Sequence, residues 1–167
     1  MSRLFMKQQV FSFVDRFTVK NEYEEDCYHV KGDFVFIGGK RLHIYDASGN
    51  EVAMVQQKIL SFRPRFFVYV DGVEVAEIVK RISFLTAEYY VDGPGWEVNG
   101  SIMDHDYTIN DGRYDIVDLH KAWLSWGDSY EIDIADGIDE VLALAVVLAI
   151  DCVQADQDPH TLTTGIP

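Results

Sequence analysis

The chain has 167 residues, of which 48% are hydrophobic and 25% charged, and its formal net charge is −14. That length fits one domain of ordinary size, and that composition excludes global disorder. The acidity opposes non-specific nucleic-acid binding and broad adsorption to anionic membranes, both of which need Lys and Arg.

The N-terminal MSRLFMKQQVFSF has no continuous apolar core followed by a small-residue cleavage site, so no secretory signal is expected. Strand-like alternation starts at Val10–Val19 and recurs in Asp33–Gly38, Arg41–Tyr45, Val52–Val55, Phe66–Val70 and Val73–Ile82. It continues in Glu88–Val91, Trp96–Val98, Tyr107–Ile109, Lys121–Trp126 and Ser129–Ile134. Between these runs, Gly38-Gly39, Ser48-Gly49-Asn50, Asp71-Gly72, Gly93-Pro94-Gly95, Asn99-Gly100 and Asp111-Gly112 supply residues that tolerate the positive φ of tight hairpins. About a dozen short strands at this spacing predict a β-sandwich or a β-barrel.

The pattern changes at Asp136. Asp136-Gly137-Ile138-Asp139 reads as a helix N-cap with an acid three residues on, and Asp139 and Glu140 suit the positive end of a helix dipole. Val141–Ile150 (VLALAVVLAI) then runs apolar without a break. At 100° per residue this run covers every side of a helix and leaves no face for water. It spans about 15 Å, whereas a bilayer core needs roughly 30 Å, so a protein core is the expected environment. Strands can wrap such a helix on all sides only by closing into a barrel around it. Val141, Leu142, Leu144, Val147 and Leu148 are then structural residues. Asp151 falls at the mouth of the barrel, where a buried carboxylate needs partners. The polar segment Gln154–Pro167 is expected to be a frayed tail.

Charge is unevenly placed along the chain. Residues 1–90 hold 12 Lys/Arg and 12 Asp/Glu, whereas residues 91–167 hold 2 Lys/Arg and 16 Asp/Glu. A basic group, Lys58, Arg63, Arg65, Lys80 and Arg81, flanks Phe62, Phe66 and Phe67. It is a candidate anion or lipid-headgroup site; the alternative is a set of solvated hairpin ends. Asp104-His105-Asp106, with Asp111, Asp115, Asp118 and His120 nearby, is dense in oxygen ligands; Asp104 and Asp106 are weak candidates for a metal site, because the spacing does not match an EF-hand loop. His43 lies in a strand-like stretch and is expected to be packed or hydrogen-bonded. Cys27 and Cys152 fit neither a disulfide framework nor a metal-binding spacing, which is consistent with reduced thiols in the cytoplasm. No residue pattern marks a catalytic centre or a cofactor site.

Four segments carry a family resemblance: Tyr45-Asp46-Ala47-Ser48-Gly49, Trp96-Glu97-Val98-Asn99-Gly100, Asp128-Ser129-Tyr130-Glu131-Ile132 and Leu148-Ala149-Ile150-Asp151. In this order, with a terminal apolar helix, the chain resembles the LURP-one-related branch of the tubby C-terminal-like superfamily over roughly residues 4–155. The resemblance implies a mainly β fold, a closed antiparallel barrel of about twelve strands around a central hydrophobic helix. It implies one domain over residues 1–155 and a flexible tail over 156–167. It also implies a non-enzymatic protein without a cofactor, binding a phospholipid headgroup or a protein partner from the cytoplasm, peripherally where the ligand is a membrane lipid. Tubby-type relatives bind phosphoinositides, and phospholipid scramblases share the domain. Two alternatives stand beside this reading. One is a small metal-assisted enzyme using the acidic second half; the other is a scramblase-like membrane-associated protein.

Overall fold

The computed structural model describes residues 1–7, 16–35, 39–59, 65–82, 87–124 and 127–155. Twelve strands precede one helix: β1 (Ser2–Lys7), β2 (Arg16–Asn21), β3 (Asp26–Val35), β4 (Gly39–Asp46), β5 (Glu51–Gln57) and β6 (Arg65–Val70) come first. β7 (Val73–Ile82), β8 (Ala87–Asp92), β9 (Trp96–Ser101), β10 (Asp106–Asn110), β11 (Asp115–Leu124), β12 (Gly127–Ile134) and α1 (Glu140–Ala155) follow. Each strand pairs antiparallel with its neighbours in sequence, and β1 pairs with β12 from Ser2↔Ile134 to Lys7↔Ser129, which closes the barrel. The closed antiparallel barrel expected from the sequence is therefore the fold of this chain. Closure gives each strand a hydrogen-bonded neighbour on both sides.

Hairpin chemistry explains the up-and-down order. At one end of the barrel the connections are short polar turns held by their own side chains. The Asn21 side chain accepts hydrogen bonds from the Tyr23 and Glu25 amides, Asp46 from Asn50, and Asp111 from Arg113 and Tyr114. Asp71 and Gly72, both at positive φ, turn β6 into β7. We call this the entry end, because α1 starts here; the opposite end, where α1 finishes, is the far end.

Strand alternation sends one face inward. Leu4, Met6, Val19, Val30, Ile44, Val55, Phe66, Val68, Ile78, Val91, Ile109, Leu119, Ile132 and Ile134 are all buried on the inner wall. They enclose α1, whose side chains from Ala143 through Val153 are all buried. The helix lies nearest β5, β6 and β7. On that wall Ala53 and Ala76 are small enough to admit it, while larger Tyr107, Leu119 and Tyr130 face inward from the other side.

The structure corrects the helix ends. Asp139, not Asp136, caps α1: its Oδ1 accepts the Leu142 amide at 2.9 Å. Asp136 instead meets the N-terminal amine. The tight Asp136-Gly137 turn, with Gly137 at φ +83°, delays the cap by three residues. Val141 and Leu142 are half-buried, because they sit in the entry mouth, and burial extends past Ile150 through Asp151, Cys152 and Val153. Gln154 and Ala155 end the helix, so the polar tail begins later than its composition suggests; residues 156–167 lie outside the described residues. Strands β1, the start of β3 and the first half of β11 are additions to the sequence reading. Val10–Asp15, Phe36–Gly38 and Ser125–Trp126 of the expected strands lie outside the described residues.

This packing makes α1 the core. Leu148→Ala is expected to lower the unfolding free energy by about 2–5 kcal/mol, as buried Leu truncations do. The same change at exposed Val73 should cost less than about 1 kcal/mol. Paired urea titrations of the two variants check the contrast.

Candidate functional site

The two ends of α1 meet different surroundings. At the entry end, Glu140 is well partnered: the Tyr28 hydroxyl donates to Oε1 at 2.6 Å, and the Ser2 hydroxyl donates to Oε2. Burial, then the Glu140 carboxylate, push the Tyr28 phenol far above its ordinary range. At the far end, Asp151 is 2% exposed and neither carboxylate oxygen has a hydrogen-bond partner among the described residues. The Tyr107 hydroxyl, also buried, lacks a partner as well. His105 stands over the carboxylate, with Nε2 at 3.8 Å from Asp151 Oδ1, and stacks on Tyr130 at 4.4 Å between ring centroids. Burial pushes Asp151 well up and, together with Lys121, pushes His105 down. Both shifts run toward the neutral forms, as burial of an acid and of an imidazole requires. Backbone strain sets this arrangement: His105 has φ +52°, and Gly100 gives β10 room, since a Cβ there would lie 2.6 Å from the Asp106 carbonyl oxygen.

The sequence-predicted basic group splits in two. Lys58 and Arg65 reach the same carboxylate on the outer wall: Lys58 Nζ lies 3.6 Å and Arg65 Nη1 3.2 Å from Glu77 Oε1. Lys58 also covers the Phe67 ring at 5.0 Å. Lys80 follows the inward register of Ile78 and covers the Tyr89 ring at 5.4 Å, while the Tyr89 hydroxyl donates to Gln154 on the last turn of α1. Lys80 thus stands at the far rim, beside the negative end of the helix dipole. Arg81 lies on β7 opposite Glu88. Its side chain, together with Arg63 and Phe62, lies outside the described residues. Phe66 is a core residue and Phe67 is not.

Comparison with known proteins decides the family. The family model described as LURP-one-related matches residues 2–151. The chain belongs to the LURP-one-related family. An uncharacterised protein, YxjI of Bacillus subtilis (strain 168), is 32% identical over 162 residues, covering 97% of this chain and 99% of that protein. The X-ray structure of an Arabidopsis thaliana protein superposes with a TM-score of 0.63 at 15% identity, over 92% of each chain, which shows the tubby-like fold.

In this LURP-one-related barrel the acidic residues of the second half spread along the wall. Asp104 accepts the Ser101 hydroxyl at the far end, Asp111 holds an entry-end turn, and Asp118 contacts His120 at 3.0 Å on the outer face. Asp106 is exposed at the start of β10, and among the described residues no group of His, Cys, Asp and Glu is gathered as a metal site would require. His43 touches Asp33 at 3.3 Å and Glu51 at 3.1 Å. Burial pushes the Cys27 thiol up, and Cys152 is buried. Among the described residues no helix is long and apolar enough to cross a membrane. Sequence reasoning did not link Tyr107, His105 and Tyr130 to Asp151. The available signal was Tyr107 on a strand face otherwise filled by Ile109.

The unpartnered carboxylate has a thermodynamic signature. A buried acid with a raised native pKa holds its proton longer than the unfolded chain does, so stability falls as pH rises above the ordinary Asp range. Asp151→Asn should therefore melt higher than the wild type at pH 7, and the gap should close near pH 4. Melting curves across that range test the sign.

Proposed function

We propose that this domain is a non-enzymatic binding module for an anionic phospholipid headgroup, engaged on the arc of wall that carries Lys58, Arg65 and Lys80. One observation carries the reading. Strand order around the barrel follows the sequence, so the charge asymmetry of the chain becomes an asymmetry of the wall. The arc from β1 to β8 is balanced, and the arc from β9 through β12 is strongly acidic. An anionic surface would be met by the first arc while the second turns to solvent. Among the described residues α1 fills the interior, which favours a ligand on the outer wall or at a rim. Among the described residues no three of His, Cys, Asp and Glu gather as a metal would need, which favours the binding reading over a metal-assisted one. The burial of α1 from Ala143 to Val153 favours a peripheral role over a scramblase-like one.

Co-sedimentation with phosphatidylcholine vesicles, with and without phosphatidylserine, tests this at low salt. Each basic residue near such a surface contributes about 1 kcal/mol. The triple variant Lys58→Ala, Arg65→Ala, Lys80→Ala should then bind on the order of 100-fold more weakly. Binding by the wild type should also fall steeply with added salt. Failure of the wild type to sediment with the anionic vesicles would remove the lipid reading.

A further inference from the structure

A second cationic feature lies on the outer face of β2, β3 and β4, away from the Lys58 group. A groove of about 500 Å³ is lined there by Arg16, Thr18, His29, Lys31 and Tyr45. Their register makes them one surface: Arg16 stands opposite Lys31, Thr18 opposite His29, and His29 opposite Tyr45 on the next strand. Their alternate neighbours, Val19, Tyr28, Val30 and Ile44, point into the core, so these five face outward.

The charge arrangement here is unusual for a sheet. Like charges directly opposite each other on one face repel, and sheets ordinarily avoid them or insert an acid. Arg16 and Lys31 are such a pair, and neither makes an ion pair among the described residues. Among the described residues the nearby acids have contacts of their own: Asp26 meets Lys20, and one oxygen each of Asp33 and Glu51 meets His43. Hydrogen-bond donors surround the pair. The Thr18 hydroxyl shares a 3.3 Å hydrogen bond with Nδ1 of His29, which leaves Nε2 of that ring uncommitted among the described residues. Tyr45 supplies an aromatic wall and stacks on His43 at 6.4 Å.

We propose that this groove binds a phosphate monoester. Two opposed cations match a doubly charged group, and the arginine fork, the ammonium and the one donor left free by the Thr18–His29 pair offer more donors than a carboxylate could accept. The volume lies within the usual range for a small-molecule site, roughly 300–1,000 Å³, and exceeds what bare phosphate fills. The organic part of the ester lies along Tyr45. Phosphorylated lipids and soluble phosphate esters share this chemistry. The site does not depend on the membrane reading above.

Amide chemical shifts during an inorganic phosphate titration test the proposal, with chloride at matched ionic strength as the control. Saturable shifts centred on Arg16, Thr18, His29, Lys31 and Tyr45 are expected. Arg16→Gln and Lys31→Gln should each weaken binding at least about 10-fold, the scale of one lost charge-assisted contact. Both should melt no lower than the wild type, because each relieves a repulsion, so lost binding is not lost folding. Lys58→Ala with Arg65→Ala should bind phosphate unchanged. Vesicles containing phosphatidic acid, set against phosphatidylcholine alone, identify the source. Sedimentation weakened by Arg16→Gln supports a lipid ester, and phosphate binding without sedimentation supports a soluble one. Diffuse shifts, or wild-type affinity in both groove variants, would overturn the site. A wild type that ignores phosphatidylserine vesicles yet binds phosphate at the groove would remove only the membrane reading.

Discussion

A helix with no polar face must be enclosed, and this one constraint organises the whole molecule. Ten consecutive apolar residues leave α1 nowhere to rest against water. Twelve strands meet the demand by closing on themselves, with each strand hydrogen-bonded to a neighbour on both sides. Neither part stands alone. An empty barrel of this size would lose its core, and the free helix would expose side chains from Ala143 to Val153. The alanines on the wall nearest the helix and the tyrosines facing inward elsewhere show the barrel shaped to its contents.

Enclosure treats the two helix ends differently. At the entry end, Asp139 caps the first turn and Glu140 is gripped by Tyr28 and Ser2, which ties α1 to β1 and β3. At the far end, Asp151 and Tyr107 are buried without hydrogen-bond partners among the described residues, beneath His105. Burying such groups costs free energy, commonly 1–3 kcal/mol each. The molecule thus concentrates its polar satisfaction at one end and its polar tension at the other. Because α1 fills the interior, the outer wall and the rims are the surfaces left to solvent, and there the strand order distributes charge.

Much of the architecture could be read from the residues. The unbroken run Val141–Ile150 was too apolar for a surface and too short for a bilayer, and the turn residues marked the hairpins, so barrel and central helix followed. The sequence pattern points to a cap one acid too early, since Asp136 and Asp139 carry the same side chain and only the backbone at Gly137 separates a turn from a cap. β1 is not legible in the sequence because Arg3 and Lys7 bracket a run too short to show alternation. The sites were less legible. Lys58, Arg65 and Lys80 look alike in sequence, but register sends the first two to Glu77 on the outer wall and the third to Tyr89 at the rim. Arg16 and Lys31 are fifteen positions apart, and only the β2–β3 register sets them opposite each other.

The central claim is that α1 belongs to the same cooperative unit as the wall around it. Native-state hydrogen exchange measures this directly. Amides of Ala143–Val153 should exchange only through global unfolding, with an opening free energy equal to that of the most protected strands. Exchange of those amides through a cheaper opening, while β5, β6 and β7 stay protected, would show that the helix leaves an intact barrel and would contradict the account.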